Sequence, residues 1–226
     1  MTTADQQTWT SVDKYFDTAL IGPDPVIAEV ERAGEKAGLP AISVSKAQGK
    51  LLYLLIRGAR AQRILEVGTL GGHSAVWMAR AIQPPGRIVT FELDPRHAEV
   101  ARAAVDQAGV GDLVDIRVGP AAEGLAALAD EQPEPFDFVF IDADKASNAT
   151  YLDYAVRLGR PGTVIVVDNV VRDGRVLEGA DEGSEGVRRL VDMLADRTDV
   201  EAVAVQTVGE RGYDGFLLAV VSDSVA

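Results

Sequence analysis

The sequence predicts an α/β fold: a mostly parallel sheet with helices on both faces, preceded by a helical extension. Three observations predict it. Five short runs (RILEVG, RIVTFE, LVDIRV, FDFVFID and TVIVVD) are rich in β-branched and aromatic residues. Helical-looking segments separate them, and regular strand–helix alternation builds a parallel sheet. The chain of 226 residues is 47% hydrophobic, enough to cover such a sheet with a sizeable core.

The elements follow in order. From Ala4 to about Gly38, WTSVDKYFDTALI and PDPVIAEVERAGEKAG carry apolar residues at mixed three and four spacings, a helical pattern. Pro23 and Pro25 break the two segments and suit the start of the second helix. ISVSKAQGKLLYLLIRGAR offers Ser45 as an N-cap, followed by a stripe through Leu51, Leu52, Leu54, Leu55 and Ile56. The strand runs then alternate with HSAVWMARAI, PRHAEVARAAVDQAG, AAEGLAALADE and ASNATYLDYAVRLG. The tail differs. GSEGVRRLVDMLADR is a helix candidate, and VEAVAVQTV and YDGFLLAVV are joined by the turn signal GERG, which predicts a final antiparallel pair. No repeat, low-complexity tract or linker interrupts the chain. The reading is one domain over 1–226, with a helical extension over 1–60 and an α/β core over 61–226.

Composition narrows the function classes. No apolar stretch approaches the roughly 20 residues of a membrane span, so no membrane role is expected. The start MTTADQQTWTS lacks the basic end and apolar centre of a secretory signal. Cysteine is absent, which removes disulfides, thiolate metal sites and thiol nucleophiles and is compatible with a cytoplasmic protein. The net charge of −13 opposes a nucleic-acid partner unless a local basic patch overrides it. The expected partner is a small molecule.

Ligands of open α/β sheets sit beyond the carboxyl ends of the strands, and the chemistry-bearing residues lie there. ILEVGTLGGHS follows the first strand, and Gly68, Gly71 and Gly72 permit a sharp turn and close ligand approach. A dinucleotide fingerprint reads G-x-G-x-x-G, whereas this loop reads G-x-x-G-G. Glu92, ending the next strand in FELD, can accept hydrogen bonds from both ribose hydroxyls of NAD or of S-adenosylmethionine. Glu66 favours the second, because a carboxylate is tolerable beside a sulfonium and an ammonium but repels a pyrophosphate. A plain strand–helix turn with a solvated Glu92 is the competing reading.

Two further strands end in oxygen-bearing side chains: Asp142 and Asp144 with Lys145, and Asp168 with Asn169. Asp142 and Asp168 are 26 residues apart (168 − 142), one strand–helix–strand unit, so adjacent strand ends can bring them together. Asp142, Asp168 and Asn169 suit a hard divalent cation, Mg²⁺ before Mn²⁺ or Ca²⁺. Such a cation stabilises a substrate oxygen as an anion. Lys145 can take the proton if its surroundings lower its pKa from about 10.4. The competing readings are helix caps for the aspartates and a solvated surface position for the lysine. His73 and His97 are expected in structural or exposed roles, and two histidines make a histidine metal site or serine triad a poor fit.

In order and spacing, ISVSKAQGKLLYLL, ILEVGTLGGHS, FELD, VGPA, FVFIDADK and VIVVDNVV resemble the cation-dependent O-methyltransferase family. That family includes catechol and caffeoyl-coenzyme A O-methyltransferases and many bacterial small-molecule enzymes. The resemblance runs from about Ile42 through Val176 and more loosely to the end. It implies a Rossmann-like class I methyltransferase fold, a seven-stranded sheet with the last strand antiparallel. It implies that Val44, Glu66, Gly68, Thr69, Ser74, Glu92, Ala121 and Asp144 line the S-adenosylmethionine site. It further implies that Asp142, Asp168 and Asn169 hold the cation, and that Lys145 is the general base or orients the hydroxyl. The implied reaction methylates one hydroxyl of a catechol-like vicinal diol, in an enzyme that is often a homodimer. The chain departs from the family at two single positions, and its ending GYDGFLLAVV lacks the basic residues many relatives show. Asn148 stands where many relatives have tyrosine, and Arg172 where an aromatic flanks the acceptor. Arg172, with Asp173 beside it, is therefore a candidate contact for an anionic acceptor group. A tRNA-modifying methyltransferase, a donor-binding protein without catalysis and an NAD-dependent oxidoreductase are the alternatives; the charge, the intact Lys145 and aspartates, and the loop spacing oppose them in turn.

Overall fold

The structure is a computed structural model and describes residues 3–179 and 181–223. Helix α1 (Thr3–Phe16) runs into a π-helical turn (Asp17–Ile21). Then come α2 (Pro25–Lys36), α3 (Lys46–Ala59), β1 (Arg63–Val67), α4 (His73–Ala79), β2 (Arg87–Glu92) and α5 (Pro95–Gln107). The chain continues through β3 (Val114–Val118), α6 (Ala121–Asp130), β4 (Phe138–Ile141), α7 (Asn148–Leu158) and β5 (Val164–Asp168). It ends in α8 (Glu182–Ala195), β6 (Val200–Gly209) and β7 (Gly212–Val221).

Local chemistry explains the helix starts. Asp24 accepts from the amides of Val26 and Ile27 ahead of α2, Asp94 from Arg96 ahead of α5, and Asp181 from Ser184 ahead of α8. Each satisfies donors that a helix N-terminus otherwise leaves unpaired. Pro25 and Pro95 occupy the first helical turn, where their missing N–H costs nothing.

The seven strands lie in the order β3-β2-β1-β4-β5-β7-β6. Every neighbouring pair from β3 to β5 is parallel. Strand β7 is antiparallel to both β5 and β6, as GERG predicts. Alternating side chains feed two cores. On one face Ile64, Ile88, Phe138 and Phe140 pack with Ile27, Val30, Leu52, Ile56 and Met78 from the helices. On the other Leu65, Val67, Ile141 and Val167 pack with Leu125, Leu152 and Leu190. Full burial of each such side chain contributes about 1.5–3 kcal/mol. The helices that precede β1 thus share a core with the sheet, except α1, which buries no residue. Among the described residues no helix is long and apolar enough to cross a membrane. The strand order reverses between β1 and β4, the place where open α/β sheets open a crevice.

Candidate active site

At that reversal β1 gives way to the glycine loop. Gly68 has φ +100°, and a Cβ there would sit 2.3 Å from the Asp142 carbonyl oxygen. Only glycine lets the ends of β1 and β4 approach this closely. Beneath the loop Glu66 is 0% exposed, and its oxygens accept from the Ser74 and Thr90 hydroxyls, both at 2.6 Å. Burial pushes its pKa up to about 7 against those two hydrogen bonds. The loop turns over a second carboxylate. Glu92 Oε2 accepts from the amides of Leu70 (2.7 Å) and Thr69 (3.3 Å), and Oε1 from Asp94 (2.9 Å). Glu92 is therefore a fixed post, not the solvated strand end of the competing reading.

A cavity of about 1130 Å³ opens over these strand ends. Val44, Gly68, Thr69, Ser74, Glu92, Ala121 and Asp144 all line it, whereas Glu66 lies below its wall. Ala121 begins α6, and Asp144 caps the turn Lys145–Ser147 by accepting from the Ser147 amide at 3.1 Å. Capping thus accounts for Asp144 in part. The Tyr151 hydroxyl also donates to Asp144, and burial together with this bond pushes the phenol up to about 12, so it stays a donor.

The acidic strand ends share the same cavity. Ile141 pairs with Val167, so Asp142 and Asp168 follow side by side on adjacent parallel strands. Lys145 Nζ donates to Asp142 Oδ1 at 2.7 Å. Asp168 is 4% exposed, and its Oδ1 accepts from the Asn169 amide at 2.8 Å. Burial first, then the charge of Asp142, pushes Asp168 up to about 7, with Lys145 opposing. Asn169 sits at φ +59°, a left-handed position that asparagine tolerates better than most residues. Among the described residues no three His, Cys, Asp or Glu side chains gather to hold a metal. The set here is two carboxylates and an amide, a hard-oxygen set. Crowding two carboxylates in a buried place is costly, and a divalent cation relieves that repulsion, so these residues fit one.

Other side chains reach this site: Gln48 and Asp214, which the sequence reading did not single out, and the two histidines, which it expected in structural or exposed roles. Gln48 Nε2 lies 3.3 and 3.4 Å from the two oxygens of Asp168. Asp214 on β7 lines the cavity and its Oδ1 accepts from the amides of Val171, Arg172 and Gly215. His97 also lines it, 3.4 Å from Glu92, and buried His73 stands 3.4 Å from Glu31. Arg172 and Asp173 are not among the lining residues. Asp181 holds the Arg172 guanidinium at 3.3 Å and that of Arg175 at 3.1 Å.

Comparisons with known proteins supply the family. The profile of the family described as O-methyltransferase matches residues 19–220. The chain belongs to the O-methyltransferase family. It is 49% identical over 211 residues to a catechol O-methyltransferase of Mycobacterium tuberculosis, covering 93% of this chain and 94% of that one. An O-methyltransferase of Bacillus cereus, solved in complex with SAH (S-adenosylhomocysteine), is 46% identical with a TM-score of 0.94, over 96% of this chain and 100% of that one. An O-methyltransferase of Streptomyces achromogenes involved in tomaymycin synthesis, solved with SAM (S-adenosylmethionine), is 46% identical with a TM-score of 0.93, over 99% and 100%. In an O-methyltransferase the nucleophile is an oxygen that must lose its proton. Lys145 lines the same cavity as Asp142 and Asp168, with its Nζ donating to Asp142 Oδ1.

Proposed function

We propose that this chain transfers the methyl group of S-adenosylmethionine to one hydroxyl of a catechol-like vicinal diol, with a divalent cation, Mg²⁺ first, held by Asp142, Asp168 and Asn169. One observation carries the reading: the glycine loop, Lys145 and the paired aspartates line one cavity over adjacent strand ends. When bound, the cation supplies Lewis acidity, which stabilises the acceptor oxygen as an anion. The chain's own residues do the rest. Gly68 and Thr69 keep the loop thin beside the donor, and Glu92, already held by three amides, presents its carboxylate toward the donor's ribose. Lys145, as the neutral amine, would take the hydroxyl proton at Nζ and become the ammonium, while Asp142 accepts a hydrogen bond from that nitrogen and holds it in place. Positioning and charge carry the in-line displacement of sulfur by oxygen. We also propose that the chain works as a homodimer.

The test is methyl transfer from labelled S-adenosylmethionine to caffeic acid, with EDTA and with added Mg²⁺. Transfer that EDTA abolishes and Mg²⁺ restores supports donor, acceptor class and cation together. Transfer indifferent to EDTA removes the cation, and donor binding without transfer removes the catechol-like acceptor.

A further inference from the structure

Gln48 does two jobs with one amide. Ser45 is the N-cap of α3, and its hydroxyl accepts from the Gln48 backbone N–H at 3.2 Å. In return Gln48 Oε1 accepts from the Ser45 backbone N–H at 3.0 Å. This reciprocal pair is a capping box, and capping alone would explain a glutamine here. Capping uses only the amide oxygen, however. The amide nitrogen is spent on Asp168, 120 positions further along the chain, where it faces both carboxylate oxygens at 3.3 and 3.4 Å.

The orientation of the amide is not free. Flipping it would turn an NH₂ against the Ser45 N–H and an oxygen against the carboxylate, two repulsive contacts for two attractive ones. Its backbone is not free either. The next residue, Gly49, lies flush on Trp77, where a Cβ would come within 2.4 Å of the indole ring. Asp168 has few other restraints. The Asn169 amide donates to Oδ1, Lys145 is engaged by Asp142, and among the described residues Oδ2 has no hydrogen-bond partner besides Gln48.

We infer that Gln48 is a positioning residue for Asp168: it fixes the plane of that carboxylate for cation capture and ties it to the cavity lip at 40–45. The inference rests on the cation reading above. Groups that orient a metal's ligands commonly change its affinity by about 10–100-fold when removed.

The experiment is Mn²⁺ binding to the full ligand-free chain, followed by electron paramagnetic resonance, with S-adenosylhomocysteine affinity measured alongside without cation. Gln48→Met keeps length and helix propensity but removes both hydrogen bonds. The expected result is an Mn²⁺ affinity about 10–100-fold weaker while S-adenosylhomocysteine affinity holds. Gln48→Asn, which keeps an amide too short to span both partners, gives the same readout should the Met variant not fold. Unchanged Mn²⁺ affinity, with or without a lower melting temperature, reduces Gln48 to a helix cap and overturns the proposal. A parallel fall in both affinities overturns it too, because it reports general loss of the site. An unaltered chain that takes up no Mn²⁺ overturns the cation reading itself and this inference with it.

Discussion

At the scale of single residues, the site divides into groups that act on ligands and groups that hold those groups. Asp168→Ala removes a cation ligand but leaves the glycine loop untouched. Cation-dependent turnover should vanish while S-adenosylmethionine binding, measured calorimetrically, stays; loss of donor binding instead would reverse the assignment. Lys145→Ala removes the proposed base and should lower turnover by about 10²–10⁴-fold with far less change in donor affinity. Glu66 tests burial electrostatics directly. Its folded pKa is raised from 4.5 to about 7, so its favourable contribution is complete below the unfolded value and is lost as pH rises through about 7. The difference, 7 − 4.5 = 2.5, corresponds to about 3 kcal/mol. In urea unfolding, Glu66→Gln should gain stability relative to the unaltered chain between pH 5 and pH 8, by up to that amount; a gap that does not change with pH would place the ionised form comfortably in the fold. The carboxylates were legible because strand-end position shows in the sequence. Gln48 and Asp214 were not: Gln48 lies within ISVSKAQGKLLYLL but reads there only as part of a helix start, and each meets the strand ends from an element distant in sequence.

At the scale of elements, the parallel strands could be read from their apolar runs, and GERG foretold the hairpin. The helix α1 was legible as a helix but not as one that buries nothing, because periodicity shows a face and not what covers it. The pairing of Arg172 with Asp181 was not legible for a related reason. The turn Arg172–Leu177 and the cap Asp181 are close in sequence, yet the side chain's direction depends on a folded ion pair. The glycine loop makes the sharpest element-level prediction. Gly68→Ala would need φ +100° and would press its Cβ on the Asp142 carbonyl oxygen. Left-handed strain alone costs about 1–3 kcal/mol. The clash falls on the residue that carries a proposed cation ligand. The variant should therefore lose stability in urea unfolding and lose Mn²⁺ affinity as well. Full cation affinity in a destabilised Gly68→Ala protein would mean that loop and aspartate pair are mechanically separate.

At the scale of the whole molecule, strand β6 poses the remaining physical problem. It is a ten-residue edge strand, VEAVAVQTVG, with one charged residue. Long apolar edges invite pairing with other chains, and proteins usually blunt or cover them. Here the face that continues the α3–α4 core runs off its end uncovered. Val203 and Val205 pair with Leu218 and Phe216, and are 55% and 38% exposed; Val220, on the same face of β7, is 38% exposed. Helix α1 lies against this strand, with Gln6 donating to the Gly209 carbonyl and Asp13 accepting from the Glu210 amide, and it leaves Val12, Tyr15 and Phe16 exposed in turn. In the homodimer proposed above, a second copy would cover this apolar surface, and its burial would have to outweigh the repulsion between two chains of net charge −13. Sedimentation at micromolar concentration should therefore give a dimer, and the double variant Val203→Glu, Val205→Glu should sediment as a monomer with its melting transition intact. Two carboxylates per copy would be buried against their counterparts across the twofold, a cost that a dimer built on this face cannot meet. A double variant that remains dimeric would move the interface elsewhere, and an unaltered chain that sediments as a monomer would leave β6 an exposed edge.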